Sequence, residues 1–225
     1  MDFGLAFTYV FKDPRWPEKI LIPGLVALIP IVGVIVDMGW ALEIQRRVMR
    51  ADPEPLPELQ FGKNLRDGAY MLVIGLIYSI PLWILLGPVW FPFSWVVQTP
   101  AQGPGTAAFV LFTLFSSTFG MVGNLYAVLE GYVLPAAYGR FATSDRLESA
   151  LDFGHMYQMI RVAPVAFLLA LAGTWIGGLI ATAGILVAVI GVIFTFPYGQ
   201  AVAWHLSGQA VRQANQALGE PAAAD

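Results

Sequence analysis

The chain has no cysteine, two histidines and few charges. Without cysteine there is no disulfide, no thiolate nucleophile and no thiolate-held metal, and the redox compartment stays open. Charged residues make up 12% of the 225 positions, against about 25% in a typical soluble domain, while 57% are hydrophobic. With a mean hydropathy of +0.68, that balance excludes an ordinary soluble domain and reads as an integral membrane protein. A net charge of −3 and a pI near 5.3 give nucleic acid nothing to bind. The opening MDFGLAFTYVFKDPRWPEK lacks a basic stretch ahead of an apolar core and a small-residue cleavage site, so a cleaved signal peptide is not expected.

What stands in place of charge is apolar length. From Ala69 to Gly139 the only charged residue is Glu130, and a run this long is expected to cross a bilayer twice. Its arms, Ala69 to Trp90 and Thr106 to Tyr138, flank FPFSWVVQTPAQGPG, an uncharged aromatic segment that reads as an outside loop. Val162 to Leu206 has no Asp, Glu, Lys or Arg and is expected to give two more spans, turning in the glycine-rich GTWIGGLIATAG. Ile20 to Leu42 is broken by Pro23, Pro30 and Gly33 into two arms. Each covers only about 15–18 Å, roughly half the hydrocarbon thickness, so the segment is a kinked span or a re-entrant hairpin.

The basic residues orient the bundle. Three precede Ile20, five lie between Glu43 and Gly68, three lie between Gly139 and Arg161, and one is in the tail. Neither the loop before Thr106 nor the turn expected near Gly177 has any, so the basic segments face the cytoplasm. A full first span would place the basic N-terminus outside, and charge therefore favours the hairpin. The expected architecture is all-α: a polytopic bundle of four full spans plus a re-entrant or kinked N-terminal hairpin, multi-pass in the cytoplasmic (inner) membrane with both termini inside. One domain covers 1–206, and 207–225 is a cytoplasmic tail. Phe3, Phe7, Val10 and Phe11 share one helical face, either in the interface or packed on the bundle. Trp16 with Lys12, Arg15 and Lys19 reads as an interfacial anchor. The DPEPLPE core of the first polar connection cannot be helical throughout, because proline removes donors and extends the residue before it.

The two polar connections resemble each other. Gly39-Trp40 and Phe61-Gly62 recur as Gly131-Tyr132 and Phe153-Gly154 at identical spacing, and Asp2-Phe3-Gly4 supplies a third x-F-G element. Chance in a Gly- and Phe-rich chain is the alternative to an internal repeat with units of 1–58, 59–150 and 151–206. The segment D-P-x-W-x-x-K (Asp13, Pro14, Trp16, Lys19), the I-P-I-V-G run, Gly39-Trp40, and LPELQFGKNLRDG from Leu56 to Gly68 carry a family likeness. On these the chain resembles the prokaryotic membrane family catalogued as a domain of unknown function, number four-zero-one-three, with Trp40 where that family usually shows tyrosine. More distantly, glycine-aromatic followed by F-G is similar to membrane domains fused to glycerophosphodiester phosphodiesterases. The resemblance implies a membrane location and supplies no catalytic residue.

Two carboxylates, Asp37 and Glu130, lie inside apolar segments, where an ionisable group is costly and marks either function or pairing. Arg47, Arg140 and His205 are candidate partners, and Asp37, Glu130 and His205 together form the candidate intramembrane polar site. His155 and His205 lack ligand spacing, so neither a metal nor any other cofactor is expected. Ser116-Ser117 is expected to bond its own helix. Gly120, Gly123, Gly173 and Gly177 favour close helix packing or self-association. No nucleophile, base and metal constellation is present. The first expectation is thus a non-enzymatic scaffold or accessory subunit in contact with the lipid bilayer and protein partners, and the alternative a small-solute or ion transporter using Asp37 and Glu130.

Overall fold

The computed structural model describes residues 1–98, 106–187 and 189–220, without the side chains of 88–98, 106–109, 112, 187 and 189. Among the described residues all regular structure is helical. The helices are α1 (Leu5–Lys12), α2 (Trp16–Val26), α3 (Val32–Met49), α4 (Phe61–Gln98), α5 (Thr106–Ser144), α6 (Phe153–Val162), α7 (Pro164–Ala183) and α8 (Val189–Leu218). Short 3-10 turns cover Leu147–Leu151 and Gly184–Val187. Two stretches, Phe61–Gly87 and Pro164–Leu186, are long and apolar enough to cross a membrane. Their apolar side chains point outward: Leu76, Trp83, Ile84, Val165, Trp175 and Leu179 are all exposed.

The chain divides into two compact units, one of Met1–Ile74 with Gly131–Asp225 and one of Gly75–Glu130. In the first, α8 is the central element, packed against α1, α2, α3, α6 and α7. Tyr9, Ile20, Trp40, Ile44, Leu56 and Ala201 form its main hydrophobic cluster, and Phe3 and Phe7 pack against Ala6, Val202 and Leu206. The aromatic N-terminal face is therefore packed on the bundle, with Phe11 left exposed. In the second unit, the Tyr126 hydroxyl donates to the Tyr78 carbonyl at 2.5 Å, and Ser117 bonds the Thr113 carbonyl of its own helix as expected.

Proline and glycine decide the first segment. Helix α2 ends at Val26 and α3 begins at Val32, so Ile20 to Leu42 is two short arms joined at the apex. Ile31 sits there at φ 63° and ψ −63°, and the Val32 amide donates to the Pro30 carbonyl at 2.7 Å. This is a γ-turn with positive φ, a conformation that strains a β-branched residue. Glycine also sets the approach of α3 to α4. A Cβ on Gly39 would fall 1.9 Å from the Asn64 carbonyl oxygen, and one on Gly68 1.7 Å from that of Ile35.

Three local expectations need correction. The turn between the last two long helices lies at Gly184–Val187, not near Gly177. Gly173 and Gly177 stand inside α7, where they admit Leu206 and Gly199 of α8, so their spacing serves packing rather than turning. The aromatic loop is shorter than expected, because α4 continues helically through Gln98, and the rest of that loop, 99–105, lies outside the described residues. The boundary at residue 206 falls within α8, where Ser207, Ala210, Val211, Ala214 and Asn215 are buried.

Candidate functional site

The side chains with chemistry gather where the polar connections meet. Arg46, on α3, is 3% exposed. Its guanidinium pairs with Asp67 of α4, with Asp145 after α5 at 2.5 Å and with Glu43 at 3.6 Å, and its Nε donates to the Ala142 carbonyl at 3.3 Å. A planar fork with five donors is the one side chain able to join three helices in this way. Lys63 adds a bond to Glu43 at 2.9 Å, and Arg66 one to Asp67 at 3.0 Å. Burial raises the Glu43 carboxyl, but Lys63, Arg46 and Arg47 outweigh it and hold the group below the usual carboxylate range.

The proline-rich connection is pinned through its carbonyls. Pro53, Pro55 and Pro57 bring no N–H, so the segment has fewer donors than acceptors. Arg47 donates to the Glu54 carbonyl at 3.0 Å, Lys19 to that of Leu56 at 3.0 Å, and the Trp40 indole to that of Pro57 at 3.1 Å. Lys19 is also paired with Asp13 at 2.5 Å and is 4% exposed, so it belongs to this clasp rather than to an interfacial anchor. Burial raises the Asp13 carboxyl, and the hydrogen bonds and charges of Lys19 and Arg15 more than reverse that and lower it.

Beside the clasp lies a cavity of about 790 Å³, bounded by α1, residues 51–56 and the last turns of α8. His205 lines it, 3% exposed and stacked on the Tyr9 ring at 4.2 Å between centroids. Gln209 fixes the α1 terminus to α8: its Oε1 accepts from the Asp2 amide at 2.7 Å, and its Nε2 donates to the Asp2 carbonyl at 2.9 Å. A second, more apolar cavity of about 530 Å³ lies among α5, α7 and α8, with Gly131, Gly177 and Gly199 in its walls.

Of the three candidate polar residues, Asp37 and His205 belong to the first unit and Glu130 to the second. Asp37 is 2% exposed on α3, and its Oδ1 has no hydrogen-bond partner. Glu130 belongs to the Gly75–Glu130 unit, half-buried, with Oε1 also unpartnered. Arg47 bonds Glu43, and Arg140 reaches Glu220 at 3.7 Å. Among the described residues no three His, Asp or Glu side chains gather as a metal site.

The motif residues have definite local roles. Phe61 and Phe153 open α4 and α6, Phe3 stands two residues before α1, and polar side chains close the starts of these helices. Asp2 Oδ1 accepts from the Leu5 amide at 2.9 Å, Asp152 Oδ1 from that of His155 at 3.0 Å, and Asn64 Oδ1 from that of Gln60 at 2.6 Å. Gly62 and Gly154 admit no close neighbour, unlike Gly39. The aromatics of both glycine-aromatic pairs bond a proline carbonyl, Trp40 that of Pro57 and Tyr132 that of Pro164 at 3.3 Å. Gly131 is less confined than Gly39, since a Cβ there would meet only Leu171 Cδ1 at 2.8 Å. Arg46 and Asp67 were the residues sequence reasoning missed; they stood in plain view in a polar connection, where a charge reads as solvated.

An all-helical chain with a buried ion cluster between its polar connections and long outward-facing apolar helices is the class defined so far. The chain belongs to the family described as protein of unknown function (DUF4013), whose model matches residues 22–198. Asp13 and Lys19 lie ahead of that match, although they complete its clasp. No curated protein and no solved structure matches the chain.

Proposed function

We propose that the protein is a non-enzymatic, multi-pass component of a prokaryotic cytoplasmic membrane, a scaffold or accessory subunit that presents its polar connections to other proteins. The observation that carries this reading is the Arg46 cluster, which gathers Asp67 within the first connection and reaches the second through Asp145. Charges spent on one another build a rigid polar face; they do not leave a nucleophile or base free to react. The outward apolar faces of α4 and α7 support the membrane location, and the two short arms of α2 and α3 support a re-entrant hairpin beside four full spans, with both termini inside. The helix starts shared by the F-G elements support the internal repeat. Gly173 and Gly177 are occupied by α8, so self-association through glycines would use others, such as Gly120 and Gly123.

Photo-crosslinkers at exposed Arg66, Glu148 and Asp152, introduced in native membranes, test the reading. Discrete adducts from these positions, and none from Leu76 or Trp175, are expected; adducts confined to the apolar positions would overturn it. Topology is tested by single cysteines at Thr8, Glu148 and Ala101 labelled with an impermeant maleimide in intact cells. Only Ala101→Cys should react, and labelling at Thr8→Cys would remove the hairpin. A second reading, a transporter, is favoured by the unpartnered carboxylate of Asp37. Asp37→Asn and Glu130→Gln would then abolish flux in liposomes with folding intact; flux that survives both removes this role.

A further inference from the structure

The cavity beside α1 contains an unused set of donors. Its wall from α8 presents His205, Gln209 and Arg212 at intervals of four and three residues, which places them on one helical face. Its wall from α1 presents Leu5, Tyr9 and Lys12 at the same intervals. The hydrogen-bond network settles the state of the buried imidazole. Gln209 Oε1 must accept from the Asp2 amide, so its Nε2 is the donor toward the Asp2 carbonyl and toward His205 Nδ1, 3.0 Å away. His205 Nδ1 is therefore an acceptor, and the neutral ring carries its proton on Nε2, which makes no hydrogen bond among the described residues.

The charges around it are unequally engaged. Asp13 is held by Lys19, which also faces Glu54 at 3.9 Å, Asp52 accepts from the Glu54 amide at 3.3 Å, and Asp2 accepts from the Leu5 amide. Lys12 and Arg212 line the same cavity, and among the described residues neither makes a hydrogen bond or ion pair. Asp2 and Arg212 both act electrostatically on the His205 ring, with opposite signs. Two free cations and a buried neutral donor facing one space call for an anion with several acceptor oxygens, and the remaining wall, with Leu5, Val48 and Leu56, calls for an apolar portion.

We propose that this cavity binds a phosphate-bearing amphiphile, its phosphate held by Lys12, Arg212 and the Nε2–H of His205 and its apolar part set against Leu5, Val48 and Leu56. A volume of about 790 Å³ accommodates a phosphoglycerol group with the start of its chains. The same chemistry is offered by a phospholipid headgroup and by a soluble phosphate ester. The site is independent of the scaffold reading and would stand if no protein partner were found.

The test uses the full chain in a neutral detergent, with binding read by native mass spectrometry. Phosphatidylglycerol should bind saturably and diacylglycerol, which lacks the phosphate, should not. Lys12→Gln and Arg212→Gln, both outside the packed core, should each weaken binding by about tenfold, the loss expected for one charge-assisted hydrogen bond. His205→Phe, which keeps the stack on Tyr9, should weaken it at an unchanged unfolding temperature. Arg146→Gln, an exposed arginine away from the cavity, should leave it unaltered. Competition by glycerol 3-phosphate would identify a soluble ester as the natural source, and its absence a membrane lipid. The site is refuted if neither phosphate compound binds, if diacylglycerol binds equally, or if Lys12→Gln and Arg212→Gln bind as the parent does. A loss in Arg146→Gln matching theirs would refute it too, since general surface charge would then be responsible.

Discussion

Replacing Gly39 with alanine tests the contact on which the α3–α4 crossing depends. The added Cβ would lie 1.9 Å from the Asn64 carbonyl oxygen, 2.6 Å from its carbon and 2.8 Å from its Cα, all backbone atoms. Ordinary contact needs about 3.4 Å or more, so the helices must separate by roughly 1.5 Å. Gly68, confined by Ile35 in the same crossing, allows no rotation to spread the strain. Overpacking costs about 1–3 kcal/mol, and backbone on both sides puts this case at the upper end. Alanine's better helix propensity returns about 1 kcal/mol, leaving a net loss of about 2 kcal/mol. For a chain of this size that lowers the unfolding temperature by about 4–8 °C, read in detergent by intrinsic fluorescence. Gly131→Ala is the matched control. Its Cβ meets only the tip of the Leu171 side chain, which can turn away, so the propensity gain should cancel the cost and leave a change within about 0.5 kcal/mol. A Gly39→Ala protein as stable as the parent, or a Gly131→Ala protein destabilised to the same degree, would refute the reasoning.

The other predictions concern charge and strain. Arg46→Met leaves buried Asp67 with only Arg66 and should cost about 3–5 kcal/mol, with part recovered when Asp67→Asn is added; thermal unfolding of the single and double variants checks it. Glu43 and Asp13 have folded pKa values below their ordinary ones, so the stability they add is complete above about pH 4.5 and is lost as pH falls through the lower, folded values. Unfolding temperature should fall on acidification across that range, and Glu43→Gln should flatten the dependence. Ile31→Gly relieves the positive φ at the α2–α3 apex, where the side chain is 76% exposed and little packing is lost. A gain of about 1 kcal/mol is expected in chemical unfolding, and a loss would mean that the side chain is held by something other than the turn.

The helical class and the broken first segment were legible because proline and glycine act locally: Pro30 and Gly33 flank the turn whatever surrounds them. The F-G elements stand out in sequence only as a recurring pattern; that the polar residues beside them cap helix starts is seen in the structure. Tertiary placement was harder to read. The spacing of Gly173 and Gly177 pointed to helix packing, but the glycine-rich run around them did not show that the turn comes only at Gly184. Lys19 reads as a surface anchor because its partners Asp13 and Leu56 sit on separate segments. Arg46 was hidden for the same reason, its acceptors being spread over residues 67, 142 and 145. The cavity could not be foreseen from spacing, because its walls come from opposite ends of the sequence.

That spread of acceptors governs the order in which the chain can be made. Arg46 emerges from the ribosome long before Asp145, and the unit containing both is interrupted by the whole of 75–130. During synthesis the arginine has only Glu43, then Asp67, for company. The first unit therefore stays incomplete until residues 75–130 have been made and the end of α5 follows them. Chains stopped before Asp145 would leave Arg46 with Glu43 and Asp67 alone, two of the three carboxylates that surround it in the folded chain.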